Sequence, residues 1–250
     1  MRLARFFYHK NIFWGVIEGN YVTILKEPPF KSVKRTSQRI ELNRIRFLPP
    51  ADCAKIVLAG LNYKDHAKEL KMSRPQNPII FLKPTTTLIA HNEAIIYPAG
   101  VNRLDYEAEL AIVIKKEAKN IKPKDVSKYI LGYTCLNDVT ARDLQKSDGQ
   151  WTRSKSFDTF CPLGPWIETS IDPQDTAIRL WLNGILKQNS TTKEFIFNID
   201  YLVSFISNVM TLSPGDVVST GTPFGVGPMK KGDIVEVEVE GVGKLSNYVE

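Results

Sequence analysis

Two glutamates in the segment 105–114 have the type and spacing to bind a divalent metal ion. The segment reads Asp-Tyr-Glu-Ala-Glu-Leu-Ala-Ile-Val-Ile, and side chains of a strand alternate between its faces, so Glu107 and Glu109 project from one side with Cα atoms roughly 6 to 7 Å apart. Two such anions at the rim of a buried region repel each other unless a cation joins them. An all-oxygen site of this kind suits Mg²⁺. The alternative is an acidic strand face exposed to solvent.

Asp138 is a third candidate ligand. It follows the strand-like segment 130–136 and is predicted to open a helical segment that continues to Gln145. Spacings of four and seven then place Asp138, Arg142 and Gln145 on one helical face. Interpreted as structure alone, Asp138 is a helix N-cap and Arg142 its ion-pair partner one turn later.

A histidine and a glutamate three residues apart form the next candidate. On a short predicted helix this spacing places the imidazole of His66 beside the carboxylate of Glu69. Such a carboxylate orients the ring and raises its basicity, as the activation of a water requires. The same two residues, if exposed, are an ordinary surface pair.

The loop 220–227 is rich in glycine, and its backbone N–H groups could converge on an anion such as a carboxylate. It carries neither G-x-G-x-x-G nor G-K-[ST], and no predicted helix follows it, so it is not a nucleotide-binding fingerprint. By itself it is a glycine-rich loop and no more.

The elements that must position these residues are mostly short strands. Pro49-Pro50 cannot continue a β-ladder, so the chain is divided into a small β-rich N-terminal domain, 1–50, and a main domain, 51–250. Asn183-Gly184 predicts a type I′ hairpin. Besides the helical segment after Asp138, two helices are predicted, a short one capped by Asn62 and a long amphipathic one capped by Asp200. Strands are predicted at 3–8, 12–17, 21–25, 40–47, 56–59, 79–82, 130–136 and 234–239. The expected fold class is mainly β with peripheral helices (α+β), a sandwich or roll.

Composition narrows the class of protein. The 250 residues are 43% hydrophobic and 24% charged, as in ordinary globular proteins. The net charge of +6 is spread along the chain, which argues against nucleic acid as a partner and could attract a dianionic substrate. Three cysteines without C-x-x-C spacing predict neither a disulfide framework nor a zinc site. No signal peptide or apolar run of about 20 residues is visible, so a cytoplasmic protein without membrane contact is expected.

These motifs occur together, and in the same order, in the fumarylacetoacetate hydrolase superfamily, which the chain resembles from about Ile56 to its last residue. The matching segments are Gly60-Leu61-Asn62-Tyr63 with His66, Leu104-Asp105-Tyr106-Glu107-Ala108-Glu109-Leu110, Asn137-Asp138-Val139-Thr140-Ala141-Arg142-Asp143-Leu144-Gln145, Lys155-Ser156-Phe157-Asp158 and Ser219-Thr220-Gly221-Thr222-Pro223. The resemblance implies the family's mixed β-sandwich roll, assembled as a homodimer.

The resemblance also implies roles for single residues. Glu107, Glu109 and Asp138 would bind Mg²⁺, with Mn²⁺ or Ca²⁺ as substitutes. The substrate would contact the catalytic Lys155 and the binding residues Gln145, Arg142, Thr222 and Gly221, with Thr222 holding a carboxylate or oxygen.

Two parts of this chain resemble two different branches of the family. His66 and Glu69 resemble the dyad of the acylpyruvate hydrolase and oxaloacetate decarboxylase branch, carried on a short helix that closes over the metal. The β unit before Pro49 resembles that of relatives described as 2-hydroxyhepta-2,4-diene-1,7-dioate isomerases. It is much shorter than the N-terminal domain of fumarylacetoacetate hydrolase itself, so that enzyme's substrate is not carried over.

The function expected from this resemblance is hydrolysis of a C–C bond in a small 2-oxo acid, of the acylpyruvate or 2-hydroxydienedioate type, within aromatic catabolism. The reaction would pass through a magnesium-bound enolate that Lys155 stabilises, while His66, oriented by Glu69, activates the water. Isomerisation and decarboxylation reach the same enolate, as in 5-oxopent-3-ene-1,2,5-tricarboxylate or oxaloacetate decarboxylases, and remain alternatives. An alternative of another class is a non-catalytic binding module in which the acids hold a structural cation.

Overall fold

Strands dominate the computed structural model, which describes all 250 residues. The strands are β1 Arg2–Tyr8, β2 Asn11–Glu18, β3 Tyr21–Leu25, β4 Arg35–Glu41, β5 Arg46–Leu48, β6 Ile56–Ala59, β7 Ile80–Lys83, β8 Leu88–Ile89, β9 Ala94–Ile95, β10 Leu104–Tyr106, β11 Ala108–Ile114, β12 Ile130–Asn137, β13 Thr140–Ala141, β14 Cys161–Glu168, β15 Ala177–Leu182, β16 Ile185–Thr191, β17 Val217–Ser219, β18 Gly227–Met229, β19 Ile234–Val239 and β20 Gly243–Val249. The α-helices are α1 Lys64–Glu69, α2 Arg142–Asp148, α3 Thr152–Lys155 and α4 Ile199–Val209, with 3₁₀ turns at Leu42–Arg44, Thr85–Thr87, Pro123–Tyr129 and Thr192–Glu194. The predicted fold class is confirmed. No helix has the length and apolarity to cross a membrane.

The first fifty residues form an antiparallel meander that continues into the largest sheet. β1 pairs with β2 on one side and with β14 on the other, where Leu3 lies opposite Ile167. The single strand predicted at 40–47 is wrong. Ile40 pairs with Val22 of β3, whereas Phe47 pairs with Phe6 of β1, and the turn at 42–44 carries the chain between these two partners. The division at residue 50 stays a prediction.

The twelve-stranded sheet brings four chain segments to one place. β11 lies between β12 and β17 and is antiparallel to both, while β17 is parallel to β6. The beginning of β11 therefore meets the ends of β12, β17 and β6. The residues at this edge are Glu107 before β11, Asp138 after β12, Thr222 after β17 and His66 after β6. This topology builds the site described below.

A second, five-stranded sheet packs against the first and forms the main core with it. Leu110 and Ile112 of β11 share one apolar cluster with Leu180 of β15 and Val237 of β19. The hairpin between β15 and β16 is confirmed: its turn residues Asn183 and Gly184 have φ of 53° and 76°, as a type I′ turn requires.

Three of the residues predicted to begin helices, Asn62, Asp138 and Asp200, do not cap one. Asn62 caps no helix; its amide donates to the carbonyl oxygens of Phe197 and Thr220 at 3.1 and 2.9 Å. The cap of α4 is Asn198, which accepts from the N–H of Tyr201 at 2.9 Å, and Asp200 lies within the first turn.

Asp138 likewise opens no helix, because the short strand β13 separates it from α2. The backbone N–H of Asp138 donates to the carbonyl oxygen of Glu107 at 2.8 Å, and Ala141 pairs with Leu104 of β10. Asp138, Arg142 and Gln145 therefore do not share one helical face, although the last two are both in α2.

The cap of α4 provides a test of the local structure. Replacing Asn198 by alanine should lower the free energy of unfolding by about 1 kcal/mol, because the N–H of Tyr201 loses its acceptor. Asn198→Asp keeps an acceptor and should retain most of the stability. Asp200→Asn should cost less than Asn198→Ala in urea denaturation. The reverse order would contradict the assignment of the cap.

Candidate metal and active site

The three acids from separate segments converge. One carboxylate oxygen from each of Glu107, Glu109 and Asp138 lies within 4.8 Å of the other two, and all three side chains are buried. Glu107 precedes β11, Glu109 is its second residue and Asp138 follows β12, so the pairing of Ala108 with Asn137 sets their proximity. This buried acidic triad could hold a metal ion, and its role as the ligand set stays a prediction.

Two of the three carboxylates are already matched by protein cations. Lys155 Nζ lies 2.8 Å from Glu107 Oε2 and 2.5 Å from Asp138 Oδ2. The guanidinium of Arg142 pairs with Glu107, and Lys83 Nζ lies 2.5 Å from Asp138 Oδ1. Burial alone would raise the pKa of Glu107, but Lys155 and Arg142 outweigh it and hold that pKa well below its usual range.

Glu109 is different, because no lysine or arginine forms an ion pair with it. Its Oε2 accepts hydrogen bonds from Ser219 Oγ at 2.5 Å and from the N–H of Gly221 at 3.0 Å, while its side chain is only 1% exposed. Burial, with the charges of Asp138 and Glu107, raises the pKa of Glu109 well above its usual value. A buried carboxylate in this state is the group that a bound cation would stabilise.

The donor set fits a hard divalent ion. It consists of carboxylate oxygens only, which are the ligands that Mg²⁺, Mn²⁺ and Ca²⁺ take in proteins. No cysteine or histidine is among the clustered ligands, so the set does not resemble a structural zinc site.

A cavity of about 430 Å³ opens onto the triad. Seven of the ten residues predicted for the site line it: His66, Glu107, Asp138, Arg142, Gln145, Lys155 and Thr222. Arg142 Nη1 donates to Gln145 Oε1 at 2.6 Å, which orients both side chains. Apolar side chains of Leu70, Ile79, Phe81 and Trp151 form much of the remaining wall.

The other three predicted residues lie behind those that line the cavity. Glu109 and Glu69 contact Gly221 and His66 respectively. The N–H of Gly221 donates to Glu109, and its role in substrate binding stays a prediction.

His66 and Glu69 form a hydrogen-bonded pair in which the histidine is buried and the glutamate is exposed. His66 is 7% exposed, and its Nδ1 lies 2.8 Å from Glu69 Oε2. Glu69 Oε1 in turn accepts from the N–H of Gly225 at 3.1 Å. Since Nδ1 is occupied and His66 lines the cavity, Nε2 is the nitrogen that can exchange a proton with a molecule there.

Sequence reasoning missed Asp105 and Lys83. Asp105 is fully buried and accepts from Arg103 Nε at 2.8 Å and Arg142 Nε at 2.9 Å, so it holds the guanidinium of Arg142 against Glu107. Lys83 is a buried lysine that also donates to the carbonyl oxygens of Val139 and Phe160 at 3.1 and 2.5 Å. Asp105 stands in the acidic motif, whereas a single lysine at a strand end carries no signal.

Comparison with known proteins defines the class. Residues 55–250 match the family described as "Fumarylacetoacetate (FAA) hydrolase C-terminal", and residues 1–50 match "Rv2993c-like, N-terminal". The chain therefore belongs to the fumarylacetoacetate hydrolase superfamily, a family of enzymes, which confirms the resemblance inferred from its motifs.

Relatives in sequence include an uncharacterised protein of Methanocaldococcus jannaschii, 60% identical over 195 residues that cover 78% of this chain and 82% of the relative. A mitochondrial oxaloacetate tautomerase of Rattus norvegicus is 40% identical over 222 residues, covering 84% of this chain and 71% of the relative.

Two solved structures show the same fold. The 5-carboxymethyl-2-hydroxymuconate delta-isomerase of Mycobacterium smegmatis has a TM-score of 0.95 and 43% identity, covering 100% of this chain and 99% of its own. A maleylpyruvate hydrolase of Sphingobium sp. SYK-6, solved in complex with manganese(II) ion and pyruvate, has a TM-score of 0.82 and 30% identity, covering 100% and 98%.

The state of Glu109 predicts how the metal-free protein responds to pH. Because the folded-state pKa of Glu109 lies above its unfolded value of about 4.5, the folded chain holds that proton more tightly. In chelator the free energy of unfolding should therefore fall as pH rises from about 4.5 towards the raised pKa. Glu109→Gln should remove this part of the decline in urea unfolding measured across pH, and the exposed Glu117→Gln should not.

Added Mg²⁺ provides the second half of the test. It should raise the melting temperature of the native protein and of Glu117→Gln. The rise should be much smaller for Glu109→Gln, because that variant has lost one of the three candidate ligands. Equal stabilisation of all three proteins would show that Glu109 binds no ion.

Proposed function

We propose that the chain is a divalent-metal-dependent enzyme that moves a proton on a small 2-oxo acid, interconverting its keto and enol forms or shifting its double bond. The observation that carries this proposal is that His66, hydrogen bonded to Glu69, lines the same cavity as Glu107 and Asp138 of the acidic triad. A proton acceptor with a defined free nitrogen thus faces the same space as the candidate metal ligands.

The charge balance of the site favours a dianionic substrate. Four buried carboxylates, Asp105, Glu107, Glu109 and Asp138, are surrounded by the four cations Lys83, Arg103, Arg142 and Lys155. These charges cancel, so a divalent ion would leave a surplus of two positive charges beside the cavity. A 2-oxo dicarboxylate or the enolate of a 2-oxo acid carries the matching charge.

Glu107, Glu109 and Asp138 would hold the ion, which would supply Lewis-acid stabilisation of the negative charge that develops on the 2-oxo oxygen. Lys155, held by Glu107 and Asp138, adds a second fixed positive charge. Arg142, Gln145 and Thr222 line the cavity and are the side chains that would orient the substrate. We take Mg²⁺ as the physiological ion and Mn²⁺ as its substitute.

We assign the transfer of the substrate's proton to His66. The bond from Nδ1 to Glu69 fixes the ring, so that Nε2 would remove a proton from the carbon next to the 2-oxo group and return it to the same or a conjugated position. This reaction needs no water and no bond between carbons to break. The names of the relatives support it, since an oxaloacetate tautomerase and a delta-isomerase are 40% and 43% identical to this chain.

Hydrolysis of a C–C bond, the activity expected from the sequence, is the second candidate. The same His66–Glu69 pair could activate a water instead of abstracting a proton from carbon. A maleylpyruvate hydrolase at 30% identity supports it.

We further propose a cytoplasmic homodimer. Three free cysteines, two of them buried, suit a reducing compartment. The edge strand β7 exposes the apolar side chain of Leu82, which a subunit interface would cover. Sedimentation of the purified protein tests the dimer.

A panel of substrates decides between the two reactions. With Mg²⁺, the enol of oxaloacetate and a 2-hydroxydienedioate should be converted faster than an acylpyruvate is cleaved, and chelator should abolish all conversion. The absorbance of the enol or dienol gives the rates. Cleavage of the acylpyruvate as the fastest reaction would favour the second candidate.

His66→Gln tests the base itself. Loss of the imidazole should lower kcat by about 10²- to 10⁴-fold, the usual contribution of a general base. The Kd of the non-reacting analogue oxalate should stay near that of the native enzyme. His9→Gln, an exposed histidine outside the cavity, is the matched control. Native turnover by His66→Gln would refute the assignment of the base.

A further inference from the structure

Gln188 is a fully buried polar side chain that joins the acidic strand to the loop carrying Thr222. Its Oε1 accepts from the N–H of Ala108 at 2.9 Å, between Glu107 and Glu109. Its Nε2 donates to Thr222 Oγ1 at 3.0 Å and to the carbonyl oxygen of Pro223 at 2.9 Å, and the carbonyl oxygen of Phe224 lies farther away, at 3.3 Å. One amide therefore links the backbone of the candidate metal strand to a side chain that lines the cavity.

Strand β16 carries Gln188 inward although its neighbours face solvent. Lys187 and Asn189 are exposed, whereas Gln188 is 0% exposed. The pairing with β15 shifts at this point, from Leu180 opposite Gln188 to Trp181 opposite Leu186, so that Lys187 is an extra, bulged residue. The bulge lies against the loop, because a Cβ on Gly225 would come within 2.5 Å of the carbonyl oxygen of Lys187.

The orientation of the amide follows from its partners. Ala108 offers only an N–H, which must meet the amide oxygen, and Pro223 offers only a carbonyl oxygen, which must meet the amide nitrogen. The opposite orientation would place two donors together at Ala108 and two acceptors together at Pro223. Nε2 is therefore the donor, and its two protons are directed to the two nearer acceptors, Thr222 and Pro223, rather than to Phe224.

The direction of this bond determines what the hydroxyl of Thr222 can do. Its oxygen already accepts a proton from Gln188, so its own proton is free to be donated. No protein acceptor takes that proton, and the side chain lines the cavity beside the acidic triad. The hydroxyl is thus prepared to donate to an anionic oxygen of a bound molecule.

We propose that Gln188 is a positioning residue that holds Thr222 as a hydrogen-bond donor, so that the loop selects the carboxylate of the substrate. The inference rests on the proposed function, in which the cavity binds a 2-oxo acid. Gln188 itself touches no substrate. Its effect passes through the oxygen of Thr222 and, by way of Ala108, keeps that hydroxyl in register with Glu107 and Glu109.

The test measures the Kd of oxalate by calorimetry in the presence of Mg²⁺, together with kcat and KM. Thr222→Val removes the donor and should raise the Kd of oxalate and the KM about 10- to 100-fold, the effect of one hydrogen bond to a charged group. Gln188→Met, similar in length, should raise both by a comparable factor, with a much smaller fall in kcat. Thr222→Ser should restore binding, and the exposed Gln174→Met should leave it unchanged.

Non-additivity separates positioning from a general structural role. The double variant Gln188→Met with Thr222→Val should bind oxalate no more weakly than Thr222→Val alone, and the affinity for Mg²⁺ should change little. The proposal would be overturned if the two single-variant losses of oxalate affinity multiplied in the double variant, or if Mg²⁺ affinity fell in parallel. If Gln188→Met does not fold, Thr222→Val still tests the donor, since native affinity for oxalate in that variant refutes it.

Failure of this inference can be distinguished from failure of the proposed function. A native enzyme that converts a 2-oxo acid, together with variants at 188 and 222 that bind oxalate normally, would refute the role of Gln188 alone. A native enzyme that neither binds oxalate nor converts any 2-oxo acid would refute the function.

Discussion

The burial of several carboxylates at one edge of a sheet is the constraint on which the rest of the structure depends. Ionised groups out of water are costly unless each is paired or hydrogen bonded. Lys155 and Arg142 form ion pairs with Glu107, and Lys83 forms one with Asp138. Glu109 instead accepts hydrogen bonds from a hydroxyl and a backbone N–H. Only Glu109 lacks an ion-pair partner, so it is the carboxylate that a bound cation would stabilise most.

The topology is what makes so dense a set of charges possible. A strand antiparallel to two neighbours meets their ends at its beginning, so β11 delivers its glutamates where β12 and β17 deliver Asp138 and Ser219. Because β6 runs parallel to β17, the chain after Ala59 reaches the same edge and places α1 with His66 over it. Long-range pairing, rather than any local motif, brings His66, Glu107 and Asp138 to one cavity.

The sequence predicted best those features that depend on neighbours along the chain. The turn Asn183-Gly184 needs positive φ at two positions, which its residue types favour in any context, and the alternation from Ile234 to Val239 marks one buried face. The acids were located through their motifs.

Predictions failed where a distant partner overrides local preference. Asn62 has the side chain of a helix cap, yet it bonds to Phe197 and Thr220, more than 130 residues away. Asp138 resembles a cap until β13 pairs with β10. Lys83 and Gln188 have no local signature, because their roles exist only once Asp138 and Thr222 have been brought to them.

The same contacts constrain how a cation and a substrate share the site. Both oxygens of Glu107 and both of Asp138 already face protein cations, so a divalent ion would share those oxygens with ammonium and guanidinium groups. Such sharing weakens the ion's binding compared with that of a free carboxylate cage. An anionic substrate would relieve the accumulated positive charge. The affinities of ion and substrate should therefore rise together, and by linkage each must raise the other by the same factor. Coupled binding of this kind would suit an enzyme site better than a site for a purely structural cation.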